Sequence, residues 1–362
     1  MNGRVLFMVQ QFTHGGSERQ CATAALGLQQ RGWQVHAAAL RPGGMRAAEL
    51  AAAGLPLPVF PVRSFASLDL LRSGLAFASY LRQHRIDIVH TFDVPSNAFA
   101  IPWARFARVP RVYSSQRAHR DLTPASLRPL EKLSDRLAHR IVVNCRSVEG
   151  ELVSQYAIAP AKIHLLYNGI DTALFHPHGP RAALPFSSGA LPSNALPSNT
   201  LVIGTVCALR PEKDLPTLQR AFAQIAPDFP HAHLLFVGDG PERPSLAGAA
   251  AAANLIHRTH FAGSQADTTP WYRAINFFVL PSRSEALSNS LLEAQACGCH
   301  ILASQTGGNP EITHNLFPPG DASALANLLR HFLSAPPRPA PPLPSTFTVP
   351  YMLDTLAALY RA

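Results

Sequence analysis

Apolar residues fall in short blocks along the first half of the chain. Arg4 to Val9 is a near-continuous apolar run, as expected of a strand buried on both faces, and the polar Gln10 to Gly16 after it reads as a turn. Ser17 to Arg31 then repeats apolar positions at helical spacing, and Trp33 to Leu40 returns to a strand. Ile86 to His90, Arg111 to Ser115, Ile141 to Asn144 and Lys162 to Leu166 read as further strands, separated by helical stretches such as Ser67 to His84. Strands alternating with helices predict a parallel sheet in an α/β domain.

The pattern breaks from Pro180 to Thr200 into Pro, Ser, Gly and Ala, with the duplicated pieces Ala190 to Asn194 and Ala195 to Asn199. Such composition predicts a linker or surface loop. Alternation then restarts: strands at Leu201 to Val206, His233 to Val237 and Phe277 to Leu280, helices at Leu215 to Ala226 and Asn289 to Ala296. A second Rossmann-like domain is the simplest reading. Ser334 to Pro344 is too rich in proline for a helix, whereas Pro350 to Ala362 regains helical spacing through Met352, Leu353, Leu356 and Leu359. The expected organisation is a first domain over 1–175, a linker over 176–200, a second domain over 201–345, and a last helix over 346–362 that packs back on the first.

Length and composition agree with two domains, since 362 residues at 47% hydrophobic content can bury two cores. No apolar run reaches the 18 or so residues of a membrane span. The first nine residues carry neither a basic region nor a cleavage site, and the five cysteines are scattered as reduced thiols would be, which together predict a cytoplasmic protein. The net charge of +9 lies wholly in residues 1–175, which hold 20 Lys+Arg against 11 Asp+Glu, while the remainder holds 11 of each. Such asymmetry suggests an anionic partner for the first domain, such as lipid head groups, an acidic glycan or nucleic acid; an Arg-rich genome would produce the same excess. Nucleic acid ranks last, because the basic residues are diffuse and no recognition module is present.

The chemistry concentrates in the second half. In Ser284-Glu-Ala-Leu-Ser-Asn-Ser-Leu-Leu-Glu-Ala-Gln-Ala-Cys-Gly298, Glu285 and Glu293 stand eight residues apart, just after the strand ending at Leu280. Ser288 or Asn289 can cap a helix whose free amides would favour a diphosphate. From there Glu285 can accept sugar hydroxyls and Glu293 can reach a ribose diol; the spacing alone favours a capped helix with one solvated Glu. Leu209-Arg-Pro-Glu-Lys-Asp-Leu215 follows the first strand of the second domain, where an open parallel sheet presents its ligand crevice. Arg210 and Lys213 can there neutralise a nucleoside-diphosphate leaving group, or be ordinary surface charges at a helix start. Lys213 is one of only three lysines.

These segments, with Gln305-Thr-Gly-Gly-Asn-Pro-Glu-Ile312, closely resemble the Glu-x7-Glu motif and its continuation in family 4 glycosyltransferases. The resemblance runs from residue 3 to about 330 and takes in Thr13-His-Gly-Gly-Ser-Glu18, Tyr167-Asn-Gly-Ile-Asp171 and Phe236-Val-Gly-Asp-Gly-Pro241. It implies a GT-B fold, two facing Rossmann-like domains, and a retaining, metal-independent transfer from a nucleotide-sugar to a glycan or lipid-linked acceptor. It assigns donor binding to Gly15, Gly16, Arg210, Lys213, Glu285, Leu287, Ser288, Asn289 and Glu293, and catalysis to Glu285, Arg210, Lys213 and His119. Arg117 is a second candidate beside His119, and Phe261-Ala-Gly-Ser-Gln265 would meet the base. No cofactor and no metal are implied, and no Asp-x-Asp occurs. Ala286 departs from the family's usual glycine, and Thr313 to Asp321 lacks the usual glycine-containing loop. The rival readings are a sugar-nucleotide epimerase or hydrolase of the same fold, and a nucleotide-sugar-binding partner subunit without catalysis.

Overall fold

The computed structural model describes residues 3–65, 67–186, 189–190, 200–334 and 339–362. The chain forms two units, one of residues 1–169 with 345–362 and one of residues 170–344. The first unit thus ends at Gly169, where the sequence places its boundary at 175. Most of the expected linker, including the duplicated segments beyond Ala190, lies outside the described residues, as do residues 335–338 of the proline-dense stretch.

The first sheet contains β1 (Arg4–Val9), β2 (Gln34–Ala39), β3 (Ile88–Thr91), β4 (Arg111–Gln116), β5 (Arg140–Val143) and β6 (Ile163–Leu165), all parallel, in the order β2-β1-β3-β4-β5-β6. Val5 to Val9 are completely buried, because helices cover both faces and every side chain of the strand meets apolar atoms. Helices α1 (Gly16–Gln30) and α2 (Met45–Ala52) flank β2 in sequence, and α3 (Leu68–Gln83), α4 (Val94–Phe106), α5 (Arg128–Leu137) and α6 (Arg146–Tyr156) follow. Phe77 and Leu81 of α3 and Phe99 and Ala104 of α4 pack one face with Leu6, Met8 and Val89. Asp93 starts α4 by accepting from the Ser96 amide at 2.8 Å in a capping box, worth about 1 kcal/mol.

A segment missed in the sequence runs beside β2: Val59 bridges Ala39 in parallel, and the Pro56 and Pro58 carbonyls accept from Ala37 and Ala39. Proline cannot complete a ladder, so the segment stays a rudimentary edge. Counted as a strand, it gives the first sheet the order of the second with β6 as one further strand at the far edge.

A short antiparallel pair, β7 (Pro185–Phe186) and β8 (Gly189–Ala190), precedes the second sheet. That sheet contains β9 (Leu201–Val206), β10 (Ala232–Val237), β11 (Thr259–Gly263), β12 (Phe277–Leu280), β13 (His300–Ser304) and β14 (Leu316–Phe317) in the order β11-β10-β9-β12-β13-β14, again parallel. Its helices are α7 (Leu215–Ile225), α8 (Arg243–Ala252), α9 (Thr269–Ala274), α10 (Asn289–Ala296) and α11 (Ala322–Ser334). Leu218 and Phe222 of α7 and Leu325 and Leu329 of α11 pack with Leu234, Phe236 and Val279. The shortened connection from Thr313 still delivers β14, with Phe317 buried beside β13.

The last helix, α12 (Val349–Arg361), completes the first core. Gly27 of α1 permits the approach, since a Cβ there would lie 2.4 Å from Leu353 Cδ1. Leu353, Leu356 and Tyr360 are buried, each leucine contributing roughly 1.5–3 kcal/mol.

Candidate functional site

In the second sheet β9 neighbours both β10 and β12, so the crossovers leave in opposite directions and open a crevice beyond the carboxyl ends of β9 and β12. After β9 the chain makes one 3-10 turn, Pro211–Lys213, and stops at Asp214 with φ 47°. Aspartate tolerates this left-handed geometry. Its carboxylate accepts from Thr217 Oγ1 at 2.9 Å and pairs with Arg283 at 3.2 Å. After β12, Ser282 and Glu285 come round to the same place. Lys213 Nζ donates to Glu285 Oε1, and Ser282 Oγ donates to that oxygen at 2.9 Å. The side chains of Lys213 and Glu285 are 21% and 12% exposed, so the pair sits at the mouth of the crevice. Burial pulls the Lys213 pKa down, but the Glu285 carboxylate outweighs it and the net shift is upward, keeping the ammonium charged. Arg210, at the start of the turn, is exposed.

Neighbouring loops hold this geometry. The Arg283 amide donates to the Glu212 carbonyl at 2.9 Å, tying the post-β12 loop to the post-β9 loop. The post-β13 loop leans on the same segment: Gly308 N donates to Ala286 O at 2.6 Å and Thr306 Oγ1 to Arg283 O at 3.2 Å. Gly307, at φ 52°, must be glycine, because a Cβ would lie 1.7 Å from the Glu285 carbonyl oxygen. On the other side the Leu209 amide donates to Asp239 O at 3.0 Å, and a Cβ on Gly238 would lie 1.9 Å from the Cys207 carbonyl oxygen. The Gly-Gly and Gly-Asp-Gly motifs therefore act through close backbone approach.

Helix α10 begins where the sequence places it, with Ser288 rather than Asn289 as its cap, accepting from the Leu291 amide. Leu287 and Ser288 are buried beside the turn and Asn289 is half-buried. Glu293 is only 2% exposed and accepts from Tyr272 Oη at 2.8 Å. The sequence reading puts this carboxylate within reach of a ribose; in the structure it is packed against a tyrosine of α9. Ala286 is buried, and Gln265 Nε2 closes on Ala262 O at 2.6 Å beyond β11.

In the first unit, Gly15 caps α1 and Gly16 is its first residue, with Thr13 Oγ1 donating to Glu18 at 3.1 Å. His119 pairs through Nδ1 with Glu151, whose other oxygen accepts from the Arg120 amide at 2.9 Å. Arg117 donates to Asn168, lies 5.3 Å over the Phe92 ring, and is lowered to about 10 by burial. Arg120 is buried, 2.8 Å from Asp135 and 3.5 Å from Glu131. Glu151, Arg120, Ser282, Arg283 and Tyr272 escaped the sequence reading. Only Ser282, three residues before Glu285 at the end of an apolar strand, had a position that could have drawn notice.

Among the described residues no three His, Cys, Asp or Glu side chains are grouped to hold a metal ion, and no helix is long and apolar enough to cross a membrane.

Residues 200–335 match the signature of glycosyl transferases group 1, and residues 14–174 that of glycosyltransferase family 4. The chain belongs to this family. Among its family 4 relatives, the D-inositol 3-phosphate glycosyltransferase of Mycolicibacterium gilvum is 28% identical over 243 residues, 62% of this chain and 52% of the relative. The chain spans about half the length of the curated relatives it matches. Anabaena Alr3699/HepE, solved with UDP and glucose, superposes with a TM-score of 0.82 at 19% identity over all of both chains. Sucrose-phosphate synthase from Thermosynechococcus elongatus superposes at 0.77 and 21% identity, covering 99% of this chain and 98% of its own. The fold of this family 4 chain is accordingly GT-B, two doubly wound α/β units.

Proposed function

We propose that the chain is a retaining, metal-independent hexosyltransferase that takes its sugar from a nucleoside-diphosphate donor and passes it to a glycan or lipid-linked acceptor. The reading rests on one observation: Lys213 and Glu285, from separate loops, meet at the carboxyl ends of β9 and β12. A donor diphosphate entering that crevice draws Lys213 toward its own charge and frees the Glu285 carboxylate to accept sugar hydroxyls. Exposed Arg210 supplies a second cation, and the α10 amides a third source of positive potential.

In the proposed step the bond from the anomeric carbon to the diphosphate breaks as the bond to the acceptor oxygen forms on the same face. The acceptor proton passes to the departing phosphate oxygen, and Lys213 and Arg210 stabilise the charge that develops there. Glu293 takes the ribose by exchanging its Tyr272 partner. Gly15 and Gly16 keep the donor-binding roles the family resemblance implies, whereas His119, paired with Glu151, is given no step. The bound UDP and glucose of the Anabaena structure favour a uridine nucleotide.

Thermal shift with UDP, GDP, ADP and their hexose conjugates tests the reading, because a ligand that binds only the folded chain raises Tm. A rise with one nucleotide family, followed by transfer with retained anomeric configuration in the product, is the expected result. Absence of any rise defeats it.

A further inference from the structure

Helix α3 buries Phe77, Ala78 and Leu81 against the first sheet. On its opposite side Leu68, Leu71 and Leu75 are 79%, 53% and 52% exposed. At about 100° per residue these leucines share one stripe with Arg72 and Arg82. Arg82 continues the stripe on to α4: its guanidinium lies 5.2 Å over the ring of Phe106, itself 56% exposed, and donates to the Phe106 carbonyl at 3.2 Å. Single exposed leucines are ordinary, but three on one stripe, joined to an exposed phenylalanine, make a face.

The face also carries cations: Arg72 and Arg82 stand on the stripe, and the exposed Arg105 and Arg108 flank Phe106 in the chain. The surrounding chain from Arg63 to Arg111 holds seven arginines, of which Arg111 is engaged by the Tyr360 carbonyl, no lysine or glutamate, and three aspartates. Two of the aspartates are already engaged, Asp87 by the Arg4 amide and Asp93 by the Gln10 and Ser96 amides. A nucleic acid would meet the arginines and leave the leucines in water.

We propose that the α3–α4 face docks on an anionic lipid bilayer. Leu68, Leu71, Leu75 and Phe106 enter the head-group boundary, and the arginines keep their stems along the apolar layer while their guanidiniums reach lipid phosphates. This inference rests on the face itself and is independent of the donor reading. Nucleotide-induced stabilisation tests the donor site, whereas vesicle binding requires no nucleotide.

The test is co-sedimentation of the whole chain with vesicles of phosphatidylcholine alone and of phosphatidylcholine mixed with phosphatidylglycerol. The bound fraction is expected to rise steeply with the anionic lipid and to fall as salt is added. The pairs Leu71→Ser with Leu75→Ser, and Arg72→Gln with Arg82→Gln, each lower it several-fold at unchanged Tm. Leu174→Ser, at an exposed leucine of the second unit, leaves it unchanged. No binding to the mixed vesicles, equal binding to both vesicle types, or binding indifferent to both paired substitutions overturns the proposal.

Discussion

At the carboxyl edge of the first sheet, charged side chains are used up within the fold. Arg120 is enclosed by Asp135 and Glu131, His119 and the Arg120 amide share Glu151, and Arg117 is held by Asn168. At the same edge of the second sheet, the Lys213–Glu285 pair is part-exposed and Arg210 points into solvent. Two sheets of nearly equal strand order thus treat charge in opposite ways. In the first unit charge fixes loop shape; in the second it is held where a ligand can exchange partners with it.

This contrast makes measurable claims. Arg120→Ala should have the largest effect, since it strands two buried carboxylates: a loss of about 3–5 kcal/mol in denaturant unfolding, with nucleotide affinity of the folded fraction unchanged. Lys213→Ala should do the converse, lowering turnover by about 100- to 1,000-fold with little change in Tm. Near-normal transfer by that variant would remove the leaving-group role. Gly307→Ala should cost the second unit at least ~2 kcal/mol, through its left-handed backbone and the clash with the Glu285 carbonyl, and should lower turnover too.

The smallest effect is a dependence on pH. His90 lies between Tyr360 Oη and Ser115 Oγ, and burial lowers its pKa to about 3. The unfolded chain therefore binds the proton first, so stability is full above the ordinary histidine value of 6.5 and declines as pH falls below it. Between pH 7 and 5 the loss from His90 is about 2 kcal/mol. Unfolding free energies for the native chain and for His90→Gln should differ in slope over that window; parallel curves would exclude His90 as the cause.

The sequence was most legible where physics is local. A strand buried on both faces is written as an apolar run, so β12 falls at Phe277–Leu280 as expected, and Ser288 before an apolar helix announces α10. Helix α5 could not be read this way, because its buried face is polar: Glu131, Ser134 and Asp135 turn inward toward Arg120 and Asn97, and Leu133 turns out. The edge segment at Val59 was hidden by its prolines. The site was legible as motifs but not as contacts, since Lys213 and Glu285 lie 72 positions apart and the supports from Ser282 and Arg283 exist only once the loops meet.

The return of α12 to the first core has a consequence in time. A chain emerging from the ribosome presents the whole first sheet, then the entire second unit, before Leu353, Leu356 and Tyr360 are available to cover α1. The second unit, contiguous from 170 to 344, has every core residue in hand earlier. The half of the protein synthesised first is therefore the last to be finished, and until then its apolar α1 surface is open to water and to whatever binds unfinished chains.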